Sequence, residues 1–395
     1  MINDKSIFEI VDLYDVRLKE YEAYCKEYEH EQKYSKDKDD LDYLETPEEC
    51  KERLLGDLAR GEELILVKYS GHDEIVSVPD GVTALDPYVF SKKTFLREVH
   101  LPDTVKWIGR NAFDGCTALE NVRLGKNLTV IGWDAFARCK SLKTVVLPER
   151  VVDIDLNAFY DSGLEEIFIP KNIKELSSSA FLLCEKLKKI EVDQDNPYYY
   201  SRDNCVYLTK NKWLVVGRND GTLPDDGSFT NIMGDAFAYN PLVTEVKIPS
   251  GVTCVDTSAF NSCLNLRRVS FPDTLQSIGR CAFEGCTSLE EVVIPGSVKI
   301  IEGLSFFRSG VKKVVIKRGV EVIDEHAFYK CPNLREIYIP STIKRAQSPI
   351  ELSSDTDAPP VRVYIETDDE KNYESWLHNF DGFDIVLGCK SEIFD

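Results

Sequence analysis

Cysteine is the residue most able to do chemistry in this chain. There are twelve, and Cys116, Cys139, Cys184, Cys263, Cys286 and Cys331 each lie three residues after a phenylalanine. A thiolate can attack a carbonyl, bind a soft metal or enter a disulfide, and each use needs partners. Zinc needs paired ligands such as Cys-x-x-Cys with histidines nearby. No such pair occurs, and the chain has only five histidines. The nearest cysteine–histidine pair in register for nucleophilic catalysis is Cys281 with His326. The repetition itself favours another role, that of small, weakly polar thiols buried along a stack. Unpaired thiols in this number lean towards a reducing compartment.

Other catalytic signatures are missing. The sequence holds no Gly-x-Gly-x-x-Gly, no phosphate loop, no His-Glu-x-x-His and no Gly-x-Ser-x-Gly. Asn219-Asp-Gly221 and Asp225-Asp-Gly227 are acidic turns, but the ordered spacing of a calcium loop is absent. No catalytic residue, metal or cofactor is expected, and the chain reads as a non-enzyme. Asn127-Leu-Thr129 is a glycosylation sequon, relevant only if a eukaryotic cell secretes the chain.

The elements that position the cysteines repeat. Aligned on the aromatic, the units place Phe90, Phe113, Phe136, Phe159, Phe181, Phe237, Phe260, Phe283, Phe306 and Phe328 at steps of 23, 23, 23, 22, 56, 23, 23, 23 and 22. Chance self-similarity does not hold a period over ten units. Each unit has two arms. One is Leu-x-x-Val-x-Ile-Pro, as in Leu289, Val292, Ile294 and Pro295, whose alternation has strand period. The other is Val-x-x-Ile-Gly-x-x-Ala-Phe, as in Val105, Ile108, Gly109, Ala112 and Phe113. Stacked coils put equivalent residues above one another, so one unit's apolar face is buried by the next.

This pattern resembles the leucine-rich repeat in its bacterial BspA-like form. Ile278 to Pro295 matches Ile-Gly-x-x-Ala-Phe-x-x-Cys-x-x-Leu-x-x-Val-x-Ile-Pro at every stated position. The resemblance covers about 270 residues. It implies an α/β repeat solenoid, mostly β, forming a right-handed superhelix with a parallel concave sheet. It also implies non-enzymatic protein binding, commonly at a bacterial surface and sometimes in adhesion to host proteins. Some units depart from it: Val243 and Val311 replace the leading leucine, and Gly125, Asp193 and Lys317 replace the proline.

Three regions follow. Residues 1–62 are expected to form a helical N-terminal cap, with Ser6 and Glu9 as a capping box and Ile10, Leu13, Tyr14 and Leu18 on one stripe. Residues 63–345 form the solenoid of about ten repeats of 22–23 residues, interrupted by a β-hairpin at about 193–229. Residues 346–395 are expected to close it as strand, helix and strand.

Recognition is expected where the letters vary. If the sheet alternates, its central outward column includes His100, Arg123, Val146, Phe168, Val293, Val315 and Tyr338. Exposed aromatics among charges resemble interface hot spots. For the valines, plain strand preference is the simpler account. Tyr198, Tyr199, Tyr200, Tyr207 and Trp213 make the interruption the densest aromatic patch. Two readings stay open there: a specificity loop, or a hairpin packed on its own solenoid.

Charge bounds the partner. The net charge is −20. Residues 1–72 carry 11 basic against 20 acidic side chains, and residues 346–395 carry 3 against 12, so the repeats are near neutral. That excludes the basic surface a nucleic-acid or anionic-membrane binder needs. No apolar run is long enough to span a bilayer. Met1-Ile-Asn-Asp-Lys-Ser lacks a signal-peptide pattern, which points to the cytoplasm, whereas the resemblance points to the cell surface. A monomer with a protein partner is expected.

Overall fold

A computed structural model describes residues 8–12, 64–350, 360–367, 373–380, 382–389 and 391–394. The chain divides into two compact units, one ending at Asp153 and the other beginning at Ile154.

In the first unit, the strands Leu64–Tyr69, Val82–Leu85, Trp107–Ile108 and Val130–Ile131 pair in parallel, one per coil. A second parallel sheet contains Ile75–Ser77, Glu98–His100 and Asn121–Arg123. Its register links Val76, Val99 and Val122, one coil apart. Phe90 stacks on Phe113, and Phe113 on Phe136, each at 5.1 Å between ring centres.

The helix expected from Ser6 does not form at its described residues. Phe8–Asp12 is a strand, antiparallel to Leu64–Tyr69. The alternating Phe-Glu-Ile-Val-Asp stretch satisfies either period, and here it pairs with the otherwise open edge of Leu64–Tyr69. Phe8 also meets Tyr69 at 5.3 Å. The rest of the expected cap lies outside the described residues.

In the second unit, Glu166–Ile169 pairs in parallel with Lys189–Val192. Beyond the interruption, parallel strands run Glu245–Lys247, Arg268–Ser270, Glu291–Ile294, Lys313–Ile316, Glu336–Ile339, Arg362–Ile365 and Asp384–Val386. The other side of each coil contributes a two-residue strand: Asn231–Ile232, Cys254–Val255, Ser277–Ile278, Ile300–Ile301, Val322–Ile323 and Arg345–Ala346. The core between these faces is built from rows. Phe237, Phe260, Phe283, Phe306 and Phe328 stack at 4.8, 5.3, 5.2 and 5.1 Å. Ile278, Ile301 and Ile323 are fully buried beside them. Gly279, after Ile278, lies where a Cβ would overlap the Asp256–Thr257 backbone one coil earlier, which is why the motif reads Ile-Gly.

The interruption is larger than a hairpin. Tyr199–Arg202, Cys205–Leu208 and Trp213–Val216 form an antiparallel meander, and Trp213–Val216 then pairs in parallel with Asn231–Ile232. The extra turn is Asp203-Asn204, both at positive φ (51° and 57°). Two central residues at positive φ suit a tight hairpin, and Asp and Asn tolerate the conformation.

At the far end, Arg362–Ile365 extends the sheet in the register of Glu336–Ile339. The short helix Glu374–Leu377 brings Trp376 over the core, where its Nε1 donates to the Ile343 carbonyl at 3.2 Å. Phe380 and Phe394 are buried. Arg318 pairs with Glu366, which also accepts from the backbone and hydroxyl of Ser341.

Candidate protein-binding surface

The thiols of the cysteine row have structural partners. In the six coils that carry it, the Sγ lies within hydrogen-bond reach of the phenylalanine carbonyl one coil earlier: Cys116 to Phe90 at 3.0 Å, Cys139 to Phe113 at 3.2 Å, Cys184 to Phe159 at 3.0 Å, Cys263 to Phe237 at 3.1 Å, Cys286 to Phe260 and Cys331 to Phe306 at 3.2 Å. The thiol donates and stays protonated. Burial pushes Cys116 and Cys263 up to about 12, and Cys139 and Cys286 well above the usual thiol range. Cys281, the candidate nucleophile, is pushed up to about 11, first by burial and then by Glu284, the opposite of an activated thiolate. His326 packs on Tyr329 at 4.3 Å. No group of three or more potential metal ligands occurs among the described residues.

The variable letters of the strands face outward. In the second unit one column reads Glu245, Arg268, Glu291, Lys313, Glu336, Arg362 and Asp384, paired residue by residue through the parallel register. Its charge alternates at every step. Arg268 pairs with Glu245, Lys313 with Glu291 at 3.3 Å, and Arg362 with Asp384 at 2.8 Å. The ladder keeps like charges from facing each other across neighbouring strands. The column beside it runs Lys247, Ser270, then Val293, Val315, Tyr338, Tyr364 and Val386. It turns from polar to apolar along the sheet. Tyr338 stacks on Tyr364 at 4.4 Å with planes 5° apart, and the Lys313 ammonium sits 5.7 Å from the Tyr338 ring centre. Burial, followed by Glu336, pushes the Tyr338 phenol up to about 12.

The expected residues fall into groups. Val146 is 83% exposed, Phe168 48% and Val293 40%. Arg123 is exposed. His100 is half-buried, with Nε2 2.6 Å from Glu98. Tyr338 is half-buried through its stack. Val315 is a correction: it is 5% exposed, enclosed in register between Val293 and Tyr338. Tyr364, Arg362 and Asp384 extend both columns but lie beyond the last regular period. The stretch Arg-Val-Tyr-Ile repeats the Glu-Ile-Tyr-Ile of the preceding strand, and that likeness is the sign that could have placed them.

Most of the interruption's aromatics pack on their own chain. Tyr207 is fully buried and stacks on Tyr200 at 5.0 Å. Tyr199 is buried, its hydroxyl donating to the Lys174 carbonyl at 3.2 Å and accepting from the Leu176 amide at 3.1 Å. The Tyr200 hydroxyl donates to the Ser228 carbonyl at 2.8 Å. Trp213 is half-buried, and Tyr198 remains exposed. The expectation of a surface patch is corrected for Tyr199 and Tyr207.

Comparison with known proteins agrees with this geometry. A family model described as "BspA type Leucine rich repeat region" matches in six copies, over residues 70–202 and 230–350. The unmatched stretch, 203–229, falls within the interruption. No curated protein matches the chain. Among solved structures, a leucine-rich repeat protein from Eubacterium ventriosum aligns with a TM-score of 0.61 at 19% identity, covering 76% of this chain and 93% of that one. The pneumococcal vaccine antigen PcpA aligns with a TM-score of 0.55 at 18% identity, covering 80% of each. At such identities the likeness is one of fold. Repeat geometry and a family match over more than half of the sequence together establish that this chain belongs to the BspA-type leucine-rich repeat family.

Proposed function

We propose that this chain is a non-enzymatic scaffold that binds a protein partner through the outward face of its long parallel strands. The observation that carries this reading is the accessible apolar set Val293, Tyr338 and Tyr364, in one column beside the alternating charge ladder. An apolar strip with a desolvating rim of charge is how interface cores are arranged. Rim charges of both signs set orientation more than affinity. Phe168, exposed on the strand Glu166–Ile169, is a second anchor of the same kind. The partner is a folded or extended protein with a complementary mixed-charge surface. Export to a bacterial surface is consistent with the pneumococcal antigen among the structural relatives.

Site-specific photo-crosslinking tests the reading. A crosslinker at Ser270, on the strand face, is expected to capture a protein that Val293→Asp and Tyr338→Ala release. Capture that both variants leave intact would remove the face from the account.

A further inference from the structure

The interruption leaves a place in the stack that a coil would otherwise occupy. In the regular coils of this unit the phenylalanine N–H donates to the next coil: Phe159 to Ala180, Phe237 to Ala259, Phe260 to Ala282 and Phe306 to Ala327, at 2.8–2.9 Å. Two residues on, a second N–H does the same, as from Asp161 to Leu182, Tyr239 to Asn261 and Arg308 to Tyr329. At the break both rows stop. Among the described residues, the N–H groups of Phe181 and Leu183 meet no acceptor. Phe181 stacks on Phe159 at 5.7 Å and carries no ring on its other side.

The returning chain does not fill the place. Gly217 donates to the Ala236 carbonyl at 3.3 Å, the bond a coil's phenylalanine would make. It has no side chain, and a Cβ there would overlap the Phe237 ring. Asn219 reaches the Cys184 and Leu187 carbonyls with its side-chain amide, at 2.8 and 3.0 Å. Where coils are in direct contact a backbone N–H does this, as Gly310 does to Cys286 at 3.0 Å. Between the two backbones is a cavity of about 330 Å3, walled by Phe181, Leu187, Ile190, Val216, Phe237 and Leu242.

We propose that this cavity is a peptide site that takes one phenylalanine side chain from an extended segment of a partner, restoring the missing rung. The ring would stack on Phe181. The carbonyls flanking it would accept from the Phe181 and Leu183 N–H groups, as Ala112 and Asp114 accept from Phe90 and Lys92. Unsatisfied backbone donors beside an apolar slot recognise an extended chain by the logic of strand addition, with the pocket setting the side chain. The site is separate from the strand face, and Val293→Asp is expected to leave it unchanged.

The test uses the whole chain, isotope-labelled, and the peptide acetyl-Asn-Ala-Phe-Asp-Gly-amide, which carries these acceptors as the chain's own repeat does at residues 111–115. Without peptide, the Phe181 and Leu183 amides are expected to exchange with solvent far faster than those of Phe260 and Ser262. With peptide, both amides shift and become protected. The same peptide with alanine for phenylalanine binds about tenfold more weakly or worse, as loss of a stacked, buried ring requires. Slow exchange at Phe181 and Leu183 in the free protein would overturn the proposal. So would an unchanged spectrum at millimolar peptide, or equal binding of the ring-less peptide.

Discussion

The Cys286 Sγ lies 3.2 Å from the Phe260 carbonyl oxygen, one coil earlier in the stack. The contact joins two rows that define the repeat, and it gives each thiol a structural task. Cys286→Ala should cost about 1–3 kcal/mol, a lost hydrogen bond plus a small cavity. Cys286→Ser should cost less, since serine already holds this position at Ser162 and Ser309, where each hydroxyl meets the next coil's cysteine at 3.3 and 3.4 Å. Urea denaturation of the two variants checks the order.

The same row predicts how stability varies with pH. Burial first raises the folded pKa from the ordinary 9.0 to about 12 for Cys116 and Cys263 and to about 11 for Cys331, and well above it for Cys139 and Cys286. Above that ordinary value the unfolded chain releases protons that the folded one keeps. The contribution is therefore complete below pH 9 and is lost as the pH rises towards the folded values. Unfolding free energy should fall steadily above about pH 9, by up to about 1.4 kcal/mol per pH unit for each thiol. Denaturation curves at rising pH measure the slope, which Cys286→Ser should reduce.

Gly217→Ala should destabilise the second unit by about 1–3 kcal/mol, because its methyl group enters the Phe237 ring position. An alanine at Gly251, where φ is positive but no atom lies within 4 Å, tests backbone strain alone. Thermal unfolding of both separates steric overlap from conformation.

The charge ladder should matter little to folding. Arg268→Ala removes an exposed pair with Glu245 and should change stability by less than about 1 kcal/mol. If the face binds a partner, the same substitution should slow association and weaken its dependence on salt. Calorimetry and association rates at two ionic strengths distinguish the effects.

The repeat was legible in the sequence because its fixed letters are dictated by stacking: Phe283 must lie on Phe260, and Gly279 must clear Asp256. The outward letters carry no such constraint, so their burial depends on neighbours that lie far away in sequence. Val315 is covered because the residues in register with it are Val293 and Tyr338. Tyr207 turned inward because its strand joined the solenoid's own sheet. Tyr364 lies beyond the last regular period, so no repeat spacing points to it. At Phe8–Asp12 local pattern satisfied helix and strand alike, and pairing with Leu64–Tyr69 decided between them.

The central claim is that the strand face of the second unit binds a protein. Its most direct test is crosslinking from Ser270 on that face, compared with crosslinking from Glu284 on the opposite side of a coil, in the wild type and in Tyr338→Ala. The account predicts a partner captured from Ser270, absent from Glu284 and lost in Tyr338→Ala. Equal capture from both positions, or capture that Tyr338→Ala leaves intact, would contradict it.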